Sequence, residues 1–466
     1  MMERIRRLAS ILSEPVLAET RANLARSRAR VPDHLQGPRQ MLGRGGNGCG
    51  ATIGAMPRCD FACRGCYLGE EANRIPAEPV EAIKAQIRRL RPTLGNGGNL
   101  QLTDGEVLLR PVEEVIELLR YAQRLDLIPM LMTHGDGFRR RPGLLEQLVV
   151  EGGLVEVSIH IDTTQRGRVG DAYRYATSEA GLNPLRDEFA TMIRRVAQET
   201  GRPLRAATTM TVTADSVAGV PAVVRWLKRN ADAFRLISFQ PLAQVGRTES
   251  VLQGVSVETL WEHIAEGLYD GPEASERANR GQLWIGHPDC NRYMPGLVLT
   301  VPGREPLFEA LRYTGDPTDE RIVDSFLDRF GGITFRLDGP LERATRWAAL
   351  AARAPGFVFG GAMRCAAHWL RRFDPEHPCR LLARLATGRA RIGGLVIISH
   401  HFMSRAEAES PRGQERRDLC VFHVPVGDQL IPMCQANALG VREEYYAELR
   451  DRARSSVAAL AGKAPG

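Results

Sequence analysis

The 466-residue chain has no apolar run near the ~20 residues a membrane span requires. It also has no apolar signal-peptide core near its start. Without an export signal, its nine cysteines read as reduced thiols or metal ligands, not disulfides, and the expected compartment is the cytoplasm. No internal repeat or low-complexity tract is present. The start is rich in arginine (Arg4, Arg6, Arg7, Arg21, Arg26, Arg28, Arg30), as a transit peptide would be. Glu3, Glu14 and Glu19 interrupt it, and a solvated amphipathic helix is the reading. What remains is an ordinary globular composition, 43% hydrophobic and 25% charged. A chain of this length can bury a large core.

The net charge of +7 is uneven. Residues 341–391 hold ten arginines against Glu342, Asp374 and Glu376, an excess equal to that of the whole chain. Such a patch attracts phosphates, nucleic acid or an anionic membrane surface. Arginine usage typical of a GC-rich genome is the bland alternative.

Three cysteines, Cys59, Cys63 and Cys66, fall within eight residues. Thiolates at offsets of four and three on one tight loop can hold three irons of a cubane cluster, leaving the fourth iron open to a small molecule. A zinc site would want a fourth Cys or His close by. None follows before His134.

Around this loop the periodicity alternates. A short buried strand at 51–56 precedes the cysteines. Strands follow at 99–103, 128–133, 154–161, 204–212 and 236–242, separated by helices at 79–91, 112–125, 143–150, 183–200 and 218–228. Six strands with intervening helices predict an α/β fold, a partial (β/α)6 TIM-like barrel of parallel strands. In such folds the chemistry sits in the loops after the strands. The cysteine loop, Asp104 to Glu106, His134, and His160 with Asp162 all occupy that position. After about residue 250 the pattern changes to helices at 257–268, 319–330 and 341–353, a strand at 395–399 and a closing helix at 442–460, with cysteines scattered among them. The expected division is 1–47 (N-terminal helix and linker), 48–250 (barrel core) and 251–466 (an α+β auxiliary region).

With these residues in hand, the chain resembles the radical S-adenosylmethionine (SAM) enzymes, whose C-x₃-C-x₂-C signature is met by Cys59, Cys63 and Cys66. The resemblance runs from about residue 48 to 245. It implies a [4Fe–4S] cluster on those thiolates, with SAM chelating the open iron and cleaved to a 5′-deoxyadenosyl radical. It further implies that Glu106 accepts from the methionine ammonium and that Gly105 lets backbone approach the ligand. Ser158 is implied to contact the ribose or methionine carboxylate, and Gln240, on the sixth strand, to flank adenine. Two positions depart from the family pattern. Gly65 stands where an aromatic residue often precedes the third cysteine, with Tyr67 offered for the adenine contact instead. Val107 replaces the usual proline.

The segment 420–434, with His287-Pro-Asp-Cys290, is similar to the tail of the group containing archaeal tetraether lipid synthases. That likeness implies an auxiliary [4Fe–4S] cluster on Cys290, Cys420 and Cys434, with Cys365 or Cys379 as the fourth ligand. Cys49 reads as either a ligand or core. His400 and His401 are candidates for proton transfer, against ordinary backbone-bonded histidines.

Three functions follow for testing. The first is hydrogen abstraction from an unactivated C–H bond of a lipid or isoprenoid chain, with phosphate head groups suited to the arginines. This carries peripheral contact with an anionic membrane and a reductant such as flavodoxin or ferredoxin, and no nucleic acid is expected. The second keeps the chemistry on a ribosomal peptide or small metabolite, although residues 1–44 are short for a leader-binding module. The third is a non-enzymatic iron–sulfur or zinc protein binding nucleic acid.

Overall fold

The computed structural model describes residues 2–46, 48–336 and 338–461; Asn47 of the glycine-rich linker lies outside them. The strands are β1 (Cys49–Ala51), β2 (Asn99–Leu102), β3 (Ile128–Thr133), β4 (Glu156–His160), β5 (Arg205–Val212) and β6 (Phe234–Pro241). They continue with β7 (Asn291–Thr300), β8 (Leu307–Ala310), β9 (Arg391–His400), β10 (Phe422–Val426) and β11 (Gln429–Pro432).

All eleven belong to one sheet, in the order β11-β10-β1-β2-β3-β4-β5-β6-β9-β7-β8. The run from β10 through β9 is parallel throughout. The α/β fold is thus a curled, mostly parallel half-barrel. The C-terminal half contributes to the same sheet. β10 adds beside β1 and β9 beside β6, while β7, β8 and β11 pair antiparallel at the two edges.

Helices Val80–Leu94 and Val112–Arg124 bury Ile83, Ile87 and Leu90, and Val115, Leu118 and Leu119, against the sheet. Each such side chain stabilises the fold by roughly 1.5–3 kcal/mol. Among the described residues no helix is long and apolar enough to cross a membrane.

Two local expectations change. The N-terminal helix is two, Met2–Ser13 and Ala18–Ala29, separated around Pro15, which has no backbone N–H to continue a helix. The first strand ends at Ala51, not residue 56. After Thr52 donates to the Gln101 carbonyl (3.0 Å), the next amides turn to side chains. Ile53 donates to Gln86 Oε1 (2.9 Å) and Gly54 to the Asp104 carboxylate. The segment stays buried but leaves the ladder.

Candidate active site at the strand ends

The cysteine loop is held by backbone from several βα loops. Ala62 and Arg64 donate to Arg166 and Thr164 beyond β4 (both 2.9 Å). Beyond β6, Arg247 donates to Cys66 (3.1 Å) and Glu249 to Arg64 (2.9 Å). Beyond β2, Gly105 and Glu106 donate to Met56 (2.7 Å) and Arg58 (2.8 Å). A Cβ on Gly105 would meet the Arg58 carbonyl at 2.3 Å, so glycine is required there for the cysteine loop itself to approach.

Cys59, Cys63 and Cys66 line one cavity of about 200 Å³ at the rim. Tyr67, Gly105, Glu106, Ser158 and Gln240 line the same cavity. Among the described residues the three sulfurs do not all lie within 4.8 Å of one another. A tetrahedral zinc with bonds of about 2.3 Å would hold thiolates about 3.8 Å apart. The three sulfurs are set wider than one such ion requires. Burial pushes the Cys59 thiol up to about 12 and raises Cys63 as well, so bound metal must displace protons.

His134, at the end of β3, stacks on Phe61 of the cysteine loop and reaches Asp60 Oδ1 through Nε2 (2.8 Å). Its Nδ1 accepts from the Asp136 amide (3.1 Å), which places the ring proton on Nε2. The His134 hydrogen bond, with Arg140 adding to it, holds Asp60 well below the usual carboxylate range against the opposing effect of burial.

Glu106 is buried, and Oε1 accepts from the Leu108 amide (3.1 Å) and the Thr133 hydroxyl (2.7 Å). Oε2 accepts from the His134 amide (2.9 Å) and lies 3.2 Å from His134 Nε2. Tyr67 donates its hydroxyl to the Asp104 carbonyl (2.6 Å) beneath the Arg442 guanidinium, 5.0 Å above the ring. Arg442 in turn pairs with the Asp104 carboxylate, both fully buried. No sequence signal marks Arg442, which lies 338 residues from its partner.

Ser158, buried on β4, shares a hydrogen bond with Thr209 (3.2 Å), and Gln240 lies near Ser238 (3.5 Å). Burial would raise Asp162, but His160, Thr164 and the Thr211 amide outweigh it and hold the carboxyl low.

A second, smaller cavity of about 50 Å³ gathers Cys290, Cys420 and Cys434, and with them Cys49. It shares Phe402, Phe422 and Met433 as walls with the rim cavity. Cys365 is not there. It sits in helix Ala362–Phe373 and lines a third cavity, while Cys379 is exposed. His400 accepts or donates at Ser238 (2.9 Å), and burial lowers it to about 4. His401 faces the four-cysteine cavity.

Residues 53–196 match the family model of the Radical SAM superfamily. No curated protein matches the chain in sequence. Among solved structures it resembles Streptococcus suis SuiB (14% identity, TM-score 0.33, 46% of this chain and 44% of that one). It also resembles anSMEcpe with bound AdoMet and Cp18Cys peptide (12%, 0.34, 47% and 59%). A radical SAM methyltransferase from Sphaerobacter thermophilus is a third (16%, 0.29, 47% and 62%). The chain spans roughly half the length of these structures, and likenesses so partial say nothing of its substrate.

Proposed function

We propose that this chain is a radical SAM enzyme and that it abstracts hydrogen from an unactivated C–H bond of a lipid or isoprenoid chain. The convergence of three thiols with Glu106, Ser158 and Gln240 on one rim cavity carries the first half of this reading. Cys59, Cys63 and Cys66 would hold a [4Fe–4S] cluster, which, once reduced by an external one-electron donor, would supply the electron that cleaves SAM to methionine and a 5′-deoxyadenosyl radical.

The chain's own residues bind and orient. Glu106 Oε2 has acceptor capacity for the methionine ammonium. Ser158 and its partner Thr209 present hydroxyls to a carboxylate or ribose, and Gln240 an amide to adenine. Tyr67, pinned by Asp104 and Arg442, forms a fixed wall that excludes water. The test is anaerobic reconstitution followed by dithionite and SAM. 5′-Deoxyadenosine is the expected product, and an iron-loaded protein that binds SAM without forming it would overturn the reading.

The substrate class rests on the third cavity, about 1260 Å³, lined by Phe326, Phe330, Phe357, Trp347, Leu350 and Trp369. Its size exceeds the ~300–1,000 Å³ typical of small-ligand pockets. Strand β7 contributes to both this cavity and the four-cysteine one, Tyr293 and Pro295 lining the first and Asn291 the second. An apolar chain fits such walls.

Several arginines of this region are already partnered within the chain. Arg346 pairs with Asp338, Arg372 with Asp319, and Arg353 donates to the Leu12 and Ser13 carbonyls. The others suit an anionic head group or membrane surface, with a flavodoxin or ferredoxin as reductant. Mass spectrometry of organic extracts should find an isoprenoid or acyl lipid. Its absence, with 5′-deoxyadenosine formation stimulated by a peptide instead, would move the assignment to peptide modification.

Cys290, Cys420 and Cys434 we assign to an auxiliary [4Fe–4S] cluster. Each sulfur accepts an N–H at 3.4 Å, from Arg416 Nε, the Phe422 amide and the Met403 amide respectively. N–H donors of this kind stabilise ligated sulfur.

A further inference from the structure

Four segments remote in sequence meet at the smaller cavity. Cys290 lies just before β7, Cys420 just before β10, and Cys434 in the helix Met433–Ala438 after β11. Cys49 opens β1, the strand that runs toward the radical cysteine loop. Its place is fixed by backbone. The Cys49 amide donates to the Val421 carbonyl (2.9 Å), and Cys49 is in parallel register with Phe422. Gly48 has φ +100°, and a Cβ there would meet the Val421 carbonyl at 2.1 Å. The close approach that brings Cys49 beside Cys420 therefore depends on that glycine.

The surroundings are not those of ordinary core thiols. Arg416 is buried, and its guanidinium is held by the Asp289 (3.2 Å) and His401 (2.6 Å) carbonyls while it donates to Cys290. A fixed cation there offsets the negative charge of several ligated thiolates. Gln101 Nε2 lies 4.0 Å from the Cys49 sulfur and also lines the rim cavity. Among the described residues, no three of the four sulfurs lie within 4.8 Å of one another. The set is too open for one tetrahedral ion, whose thiolates would be about 3.8 Å apart.

We infer that Cys49, Cys290, Cys420 and Cys434 form a complete four-thiolate ligand set for a [4Fe–4S] cluster, leaving no iron open to SAM or substrate. This rests on the reading that the tail holds an auxiliary cluster, and it names the fourth ligand. Nothing brings Cys365 or Cys379 to this cavity.

The test uses the full chain carrying Cys59→Ala/Cys63→Ala/Cys66→Ala, which removes the radical-loop ligands. Iron, sulfide and the electron paramagnetic resonance (EPR) spectrum of the reduced protein are measured after anaerobic reconstitution. About four irons are expected per chain. Adding Cys49→Ser should lower iron content or change the EPR spectrum, whereas adding Cys365→Ser or Cys379→Ser should do neither. Adding SAM to the triple variant should leave the spectrum unchanged, because no iron is open. Circular dichroism of each variant separates ligand loss from misfolding, and Cys49→Ala is the second substitution should the serine fail to fold.

If Cys49→Ser keeps four irons and the same spectrum, the fourth ligand lies elsewhere, with His401 the next donor on the cavity wall. A spectrum that shifts with SAM would likewise overturn full ligation. If the triple variant itself binds no iron, the auxiliary-cluster reading fails as a whole. That outcome is distinct from an error in the fourth ligand.

Discussion

Phe61 and His134 stack face to face, their ring centroids 3.7 Å apart and their planes within 2°. The stack joins the cysteine loop to the end of β3, and the His134–Asp60 bond closes the same joint from the side. Arg168 covers Phe61 with its guanidinium 5.2 Å from the ring centroid. The loop bearing Cys59, Cys63 and Cys66 is thus clamped by side chains as well as by backbone.

His134→Ala removes both the stack, worth about 0.5–1.5 kcal/mol, and the bond to Asp60, worth about 1.5–3 kcal/mol as a charged hydrogen bond. The fold should survive while the cluster is lost several-fold faster to a chelator, read by bleaching near 400 nm. His134→Phe keeps a stacking ring without the Asp60 bond and should fall between. Equal rates in all three proteins would show that the joint does not support the loop.

Glu106→Gln removes the negative charge proposed to receive the SAM ammonium. Charged hydrogen bonds contribute roughly 1.5–3 kcal/mol, so SAM should bind about 10- to 150-fold more weakly by equilibrium dialysis on the iron-loaded protein. Iron content should be unchanged, since Glu106 touches no cysteine sulfur in the hydrogen bonds it makes. Unaltered SAM affinity would remove Glu106 from the binding site.

The part of this architecture legible in the sequence is the part built from local repeats. β2 to β6 and their helices alternate at regular spacing, and the rim motifs follow each strand directly. The C-terminal strands were not legible as sheet members, because β9 and β10 join their neighbours β6 and β1 only through pairings across 150 residues or more. β7 carries Pro295 and Gly296 in its interior, which read as a break. It tolerates them between β9 and the short β8 near the sheet edge. In the site, the cysteine spacing and Glu106 announced themselves within a few residues. Cys290, Cys420 and Cys434 were grouped only through a family likeness, and Cys49 joins their cavity only once β10 is laid beside β1.

Three half-buried histidines make the metal-free protein acid-sensitive. Burial lowers His400 to about 4, His401 to about 3 and His423 to about 4, against an ordinary 6.5. They are neutral in the fold and prefer protons when unfolded. Their contribution is therefore fully present above pH 6.5 and declines as pH falls through 6.5 toward about 4. The melting temperature should drop across that window. His400→Asn, which can still bond Ser238, should drop less steeply. Parallel curves for both proteins would exclude His400 as a source.

The pair Arg442–Asp104 ties the C-terminal helix Val441–Ala461 to the turn carrying Gly105 and Glu106. Both groups are almost wholly out of water. Asp104 also accepts from the Gly54 amide, and Arg442 also donates to Asn437 (2.9 Å), which lines the rim cavity. Removing one partner strands the other charge, at a cost of about 3–5 kcal/mol. Arg442→Met should therefore lower the urea midpoint sharply and weaken SAM binding, because the turn beneath Glu106 loses its anchor. Arg442→Met with Asp104→Asn removes both charges and should regain much of the stability. SAM affinity should recover less, since the amide cannot restore a tie to the helix. If the double variant is as unstable as the single one, the loss comes from packing against the Tyr67 and Tyr446 rings, 5.0 and 5.9 Å from the Arg442 guanidinium, and not from a stranded carboxylate.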